Sequence, residues 1–88
     1  TTIQPGSVTP SQANTIVITA TADNDSGLVP SSINSSFTIS DTVAVNTGTN
    51  VGGGMAYKVL TAASAQNPTW TYSGSFNDAS ARIATFKY

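Results

Sequence analysis

The sequence has no cysteine, no histidine and no glutamate. Without cysteine there are no disulfides, and with histidine also missing there are no thiolate or imidazole zinc sites and no haem ligation by those residues. The same absences strip the chain of its usual general bases and nucleophiles. Four aspartates, Asp23, Asp25, Asp41 and Asp78, are the whole acidic inventory. A hydrolase needs a base together with a nucleophile or a second carboxylate, and serine and threonine are present without any visible activating partner. The expectation is that the chain is not an enzyme. Positive charge is equally scarce: Lys58, Arg82 and Lys87 leave a net charge of −1. Nucleic-acid binding needs a basic stripe, so no nucleic-acid partner is expected. No apolar run nears the about 18 residues of a membrane span, which argues against membrane insertion. The first residue is not methionine, so either a processed or excised fragment or a start lying upstream of Thr1 is expected.

What remains is hydroxyl and amide. Serine and threonine make up 26 of the 88 residues, and seven asparagines accompany them. A threonine-rich chain this poor in lysine and lacking glutamate disfavours helix and favours pleated surface. Such compositions are frequent in secreted and particle-associated β proteins, so an extracellular or virion-associated location is expected. Eighty-eight residues suffice for one domain at most. A chain this small buries only about 60–65% of its unfolded surface, which leaves association or an oxygen-ligated ion as candidate supports.

Period-two alternation organises the chain. Thr15–Ala22 is the clearest strand, and its more uniformly apolar face, Ile16, Ile18, Ala20 and Ala22, is the expected core face. Residues 23–27 read as a loop that Pro30-Ser31-Ser32 extends. Ser36–Ser40 and the weaker Val43–Val45 read as strands, and Thr47–Gly54, with four glycines, as a hinge or wide loop. Met55–Ala62 reads as a strand buried on both sides, with a short helix as the competing reading. Thr69–Ser73 carries two aromatics on one face. Ala81–Tyr88 closes the chain, and Ile83 and Phe86 cannot both face inward without a bulge. Short strands, frequent turns and no convincing helix predict an all-β fold, an antiparallel β-sandwich of jelly-roll type spanning 1–88 as one module or part of one. The expected core is Ile16, Ile18, Phe37, Ile39, Met55, Tyr57, Val59, Leu60, Trp70, Ile83 and Phe86.

Gly53-Gly54-Met55-Ala56-Tyr57-Lys58-Val59-Leu60, followed by Asn67-Pro68-Thr69-Trp70-Thr71 and Ala81-Arg82-Ile83-Ala84-Thr85-Phe86-Lys87, resembles the C-terminal half of laminin-G-like or concanavalin-like β-sandwich domains of bacterial secreted and phage structural proteins. The resemblance implies a partial sandwich completed by a neighbouring chain or segment. Its motifs concern packing and carry no chemistry.

Two constellations invite a ligand. Asp23 and Asp25, two apart in one loop, would suit a calcium ion, whereas an ordinary Asx-rich turn explains them without one. Tyr57, Trp70 and Tyr72 would form an aromatic platform for sugar rings, whereas core packing claims Trp70. The asparagines of Asn24-Asp25-Ser26 and Asn34-Ser35-Ser36 match the glycosylation pattern at a near-chance rate in so Asn- and Ser-rich a chain. The leading expectation is a structural or accessory module that contacts itself or a neighbouring structural polypeptide. The alternative is a carbohydrate-binding adhesion module.

Overall fold

The computed structural model describes residues 1–24, 27–48 and 50–88. Among the described residues seven strands follow one another: β1 (Thr2–Ile3), β2 (Thr15–Asp23), β3 (Pro30–Ile33), β4 (Thr38–Val45), β5 (Val51–Leu60), β6 (Trp70–Tyr72) and β7 (Ala79–Lys87). No helix occurs among the described residues. The strands form two sheets, one of three strands in the order β1-β6-β3 and one of four in the order β4-β5-β2-β7. Every pairing among the described residues is antiparallel. The fold is therefore the expected antiparallel β-sandwich, and the chain passes from one sheet to the other at each connection except the β4–β5 hairpin.

The long strand β2 lies inside the larger sheet, paired along its whole length with β5 and β7. Its threonines and Ile/Val residues suit that position, because β-branched side chains pack well on a pleated surface. The small sheet lies over one face of the large one. Between them sit Val17, Phe37, Ala56, Leu60, Trp70, Tyr72 and Ala81, with Ile3, Leu28, Ile33, Ile39 and Ile83 packed around that cluster.

The inward face of β2 is the reverse of the expected one. Thr15, Val17, Thr19, Thr21 and Asp23 are buried, while Ile16 and Ile18 are half-buried on the other side. Counting apolar atoms misleads here, because the small sheet brings an indole N–H and a phenol O–H that need oxygen partners when buried, and the threonines supply them. The inversion passes through the ladder. Met55, Tyr57 and Val59 share the side of Ile16 and Ile18, so β5 is exposed on that face rather than buried on both. In β7 the register is continuous, with Ile83 inward and Phe86 outward, so no bulge is needed.

Two segments expected as loop are strands. Pro30–Ile33 forms an edge of the small sheet, where proline's missing N–H is tolerated. Val51–Gly54 is the start of β5. The glycines are there for contact. A Cβ on Gly52 would lie 1.7 Å from the Leu28 carbonyl oxygen, and one on Gly54 would lie 2.7 Å from Pro30 Cγ. Glycine lets the chain entering β3 press directly on the large sheet.

The β3–β4 link is a tight turn with two left-handed serines, Ser35 at φ 60° and Ser36 at φ 61°. The Phe37 amide closes it by donating to the Asn34 carbonyl at 3.4 Å. A left-handed conformation strains a non-glycine residue by about 1 kcal/mol. Ser36→Gly is expected to stabilise the protein by about 0.5 kcal/mol net of glycine's greater unfolded freedom, raising Tm by roughly 2–4 °C. Differential scanning calorimetry reads this directly, and an unchanged or lower Tm would show that the turn carries no such strain.

Candidate functional site

The buried layer between the sheets is polar as well as apolar. Trp70 Nε1 donates to Thr19 Oγ1 at 3.2 Å, and Thr19 Oγ1 in turn donates to the Arg82 carbonyl at 2.9 Å. The Tyr72 hydroxyl shares a hydrogen bond with Thr21 Oγ1 at 3.1 Å. The Tyr72 ring meets Phe76 edge-on, with centroids 5.2 Å apart at 77°. Inward-facing positions on β2 thus meet the polar tips of β6 one after another, and those bonds offset the desolvation of each group.

Asp23 lies at the end of this row, and it too interacts with the Tyr72 hydroxyl. Burial pushes the Tyr72 phenol above its ordinary value of 10.0; the hydrogen bond with Thr21 opposes this, while the negative charge and hydrogen bond of Asp23 add to it. A phenol whose folded pKa is raised contributes stability that is fully present below the unfolded value and is lost as pH rises through the folded value. Urea midpoints are therefore expected to fall from about pH 10 upward. Tyr72→Phe removes Tyr72's share of that fall. An identical alkaline loss in both proteins would refute the assignment.

The sequence-derived platform does not assemble. Trp70 is 0% and Tyr72 2% exposed, whereas Tyr57 is 41% exposed on the opposite face of the larger sheet. The three side chains share no surface. Of the calcium pair, Asp23 is buried and Asp25 lies outside the described residues. Among the described residues no group of three or more metal-ligating side chains comes together. Asn34, from one of the glycosylation patterns, turns its side-chain oxygen onto the Thr69 amide at 2.8 Å.

The feature that sequence reading missed is the outward face of the four-stranded sheet. Register pairs Phe86 with Ile16 and Ile16 with Val59 in one row across the strands, then Ala84, Ile18, Tyr57 and Thr38 in the next. A third row reads Arg82, Ala20, Met55, Asp41, and a fourth Ser80, Ala22, Gly53, Val43. Met55, Tyr57, Val59, Val43 and Phe86 are all more than 40% exposed. Scattered exposed apolar residues are ordinary on a protein surface, but a contiguous face of them marks an interaction surface. Arg82 and Asp41 are the charged residues in these rows, and they stand at opposite edges of one row. Arg82 Nη1 donates to the Ala81 carbonyl at 2.8 Å, and Asp41 Oδ1 accepts from the Thr42 amide at 2.8 Å.

Two hollows flank this charged row. One, of about 300 Å³, lies over Ala22, Gly53 and Val43 beside Asp41. The other, of about 230 Å³, lies over Ile18, Ala20, Ala84 and Phe86 beside Arg82. A sequence signal for this face did exist. Once Trp70 and Tyr72 are assigned inward, their polar tips require the threonine side of β2, which leaves the isoleucine side to face out. No family model matches the chain, and no curated protein or solved structure matches it.

Proposed function

We propose that this chain is a non-catalytic structural or accessory module of a secreted or virion assembly, and that its larger sheet is covered by neighbouring polypeptide. One observation carries the reading: one face of the sandwich is closed by the small sheet while the other presents an apolar surface of Ile16, Ile18, Met55, Tyr57, Val59 and Phe86. Such a face lowers its free energy by association, and sheets accept one another face to face about 10 Å apart. The resemblance to the C-terminal half of laminin-G-like and concanavalin-like sandwiches supports the same reading, because those domains are built from more strands than this chain supplies. The Ser/Thr/Asn-rich, lysine-poor and glutamate-free composition suits an extracellular or virion-associated location.

A glycan-binding role is the rival, and the buried positions of Trp70 and Tyr72 leave it Tyr57 alone of its three aromatics. Glycan-array binding by the purified chain, together with its Tyr57→Ala variant, separates the two. The structural reading expects no specific retention. Retention abolished by Tyr57→Ala with an unchanged unfolding midpoint would replace it with the adhesive role.

A further inference from the structure

We infer that the outward face of the four-stranded sheet is a self-complementary dimer interface, and that the neighbouring polypeptide is a second copy of this chain. The inference rests on the structural-module reading above and names the partner. Its geometry is a two-fold axis between the two sheets, parallel to the strands and midway between β2 and β5. That operation lays β7 over β4 of the other copy and β2 over β5, while height along the strands is unchanged.

Charge selects this axis. Arg82 stands on edge strand β7 and Asp41 on edge strand β4 of the same cross-strand row. The rotation sets each Arg82 over the other copy's Asp41, giving two opposite-charge pairs, one at each edge. A two-fold running across the strands would instead keep β7 over β7 and β4 over β4, bringing like-charged edges together. Complementary potentials fix register in this way, and like-charge juxtaposition disfavours the wrong one.

Shape agrees with charge. Under the same rotation Met55 lies over Ala20 of the other copy and Tyr57 over its Ile18, so the two large side chains of β5 enter the hollow lined by Ile18, Ala20 and Ala84. Val59 lies over Ile16. Met55 and Tyr57 on β5 thus oppose the smaller or half-buried Ala20 and Ile18 on β2, as interdigitated sheets require. The area is sufficient. Four strands at about 4.8 Å spacing and roughly 29 Å long give about 550 Å² per copy, or about 1,100 Å² for the pair. A specific interface needs about 1,000 Å² with good complementarity, which places this one at the small, weak end of the range.

Sedimentation velocity over a concentration series tests the geometry with charge-reversal variants, with circular dichroism and urea midpoints confirming folding of each. The wild-type chain is expected to dimerise. Arg82→Asp and Asp41→Arg are each expected to weaken the dimer by about 10-fold or more, because each places like charges together at both edges. The double variant is expected to return to within about threefold of wild type. An equimolar mixture of the two single variants is expected to form a heterodimer, since one carries acid and the other base at both edges. A folded wild-type chain that stays monomeric at about 1 mM, where any dimer with a dissociation constant of about 1 mM or tighter is populated, overturns the dimer. That result leaves the structural-module reading standing, which fails separately on specific glycan retention. A dimer indifferent to both single reversals, or one the double variant does not restore, overturns the proposed axis.

Discussion

Gly52→Ala is expected to abolish cooperative folding, or to destabilise the chain by more than about 4 kcal/mol, because the added methyl cannot be accommodated by side-chain movement. The new Cβ would stand 1.7 Å from the Leu28 backbone oxygen and 3.1 Å from Asp23 Oδ2. Relief requires the Leu28–Pro30 segment to lift off β5, which uncouples β3 from the large sheet and opens the core beside Tyr72. Gly6→Ala is the control. Gly6 has φ 91° and nothing within 4 Å of the position its methyl would take, so backbone strain of about 1–2 kcal/mol is the whole expected effect. Urea titration followed by tryptophan fluorescence reads both. Equal effects of the two substitutions would mean that the contact at Leu28 is not what requires glycine.

Trp70→Ala carries the second large effect. The indole is fully buried at the centre of the core and hydrogen-bonded to Thr19. Truncating a buried tryptophan costs about 3–5 kcal/mol. Small domains hold about 5–15 kcal/mol in total, so the variant is expected to lose from about a fifth to all of its stability. A gentler series isolates the polar part. Thr19→Val orphans the indole N–H and is expected to cost about 1–3 kcal/mol. In a Trp70→Phe background, which has no indole N–H, the same change should cost measurably less. Were the isoleucine face of β2 the inner one, Thr19→Val would be near neutral in both backgrounds.

These threonines mark the boundary between what was legible in the sequence and what was not. Strand β2 and the aromatic strand β6 were readable to within one residue from alternation alone, and the closing strand β7 to within two, because period-two patterning is a local property. The face of β2 was not readable that way. Its isoleucine side is more apolar, yet the small sheet supplies Trp70 and Tyr72, whose polar tips are met by Thr19 and Thr21. The error then spread along the ladder to Met55, Tyr57, Val59 and Phe86, since antiparallel partners share a face. The glycine run misread as a hinge had the same origin. Its requirement comes from Leu28 and Pro30, which are distant in sequence. The sugar platform failed with the core assignment, as two of its three aromatics were needed inside.

The repeated passage of the chain between the sheets has a consequence for how the molecule comes into being. The Thr1 carbonyl accepts from the Tyr72 amide at 2.8 Å, and the Thr1 ammonium donates to the Tyr72 carbonyl, seventy-one positions away. β1 therefore has no partner until β6 is made, and β2, although β5 can pair with it earlier, lacks a neighbour on its other edge until β7 follows. Folding dominated by such distant pairings takes milliseconds to seconds. Throughout that interval one edge of the isoleucine-bearing strand β2 stays unpaired, and transiently exposed strand edges of this kind are prone to aggregate.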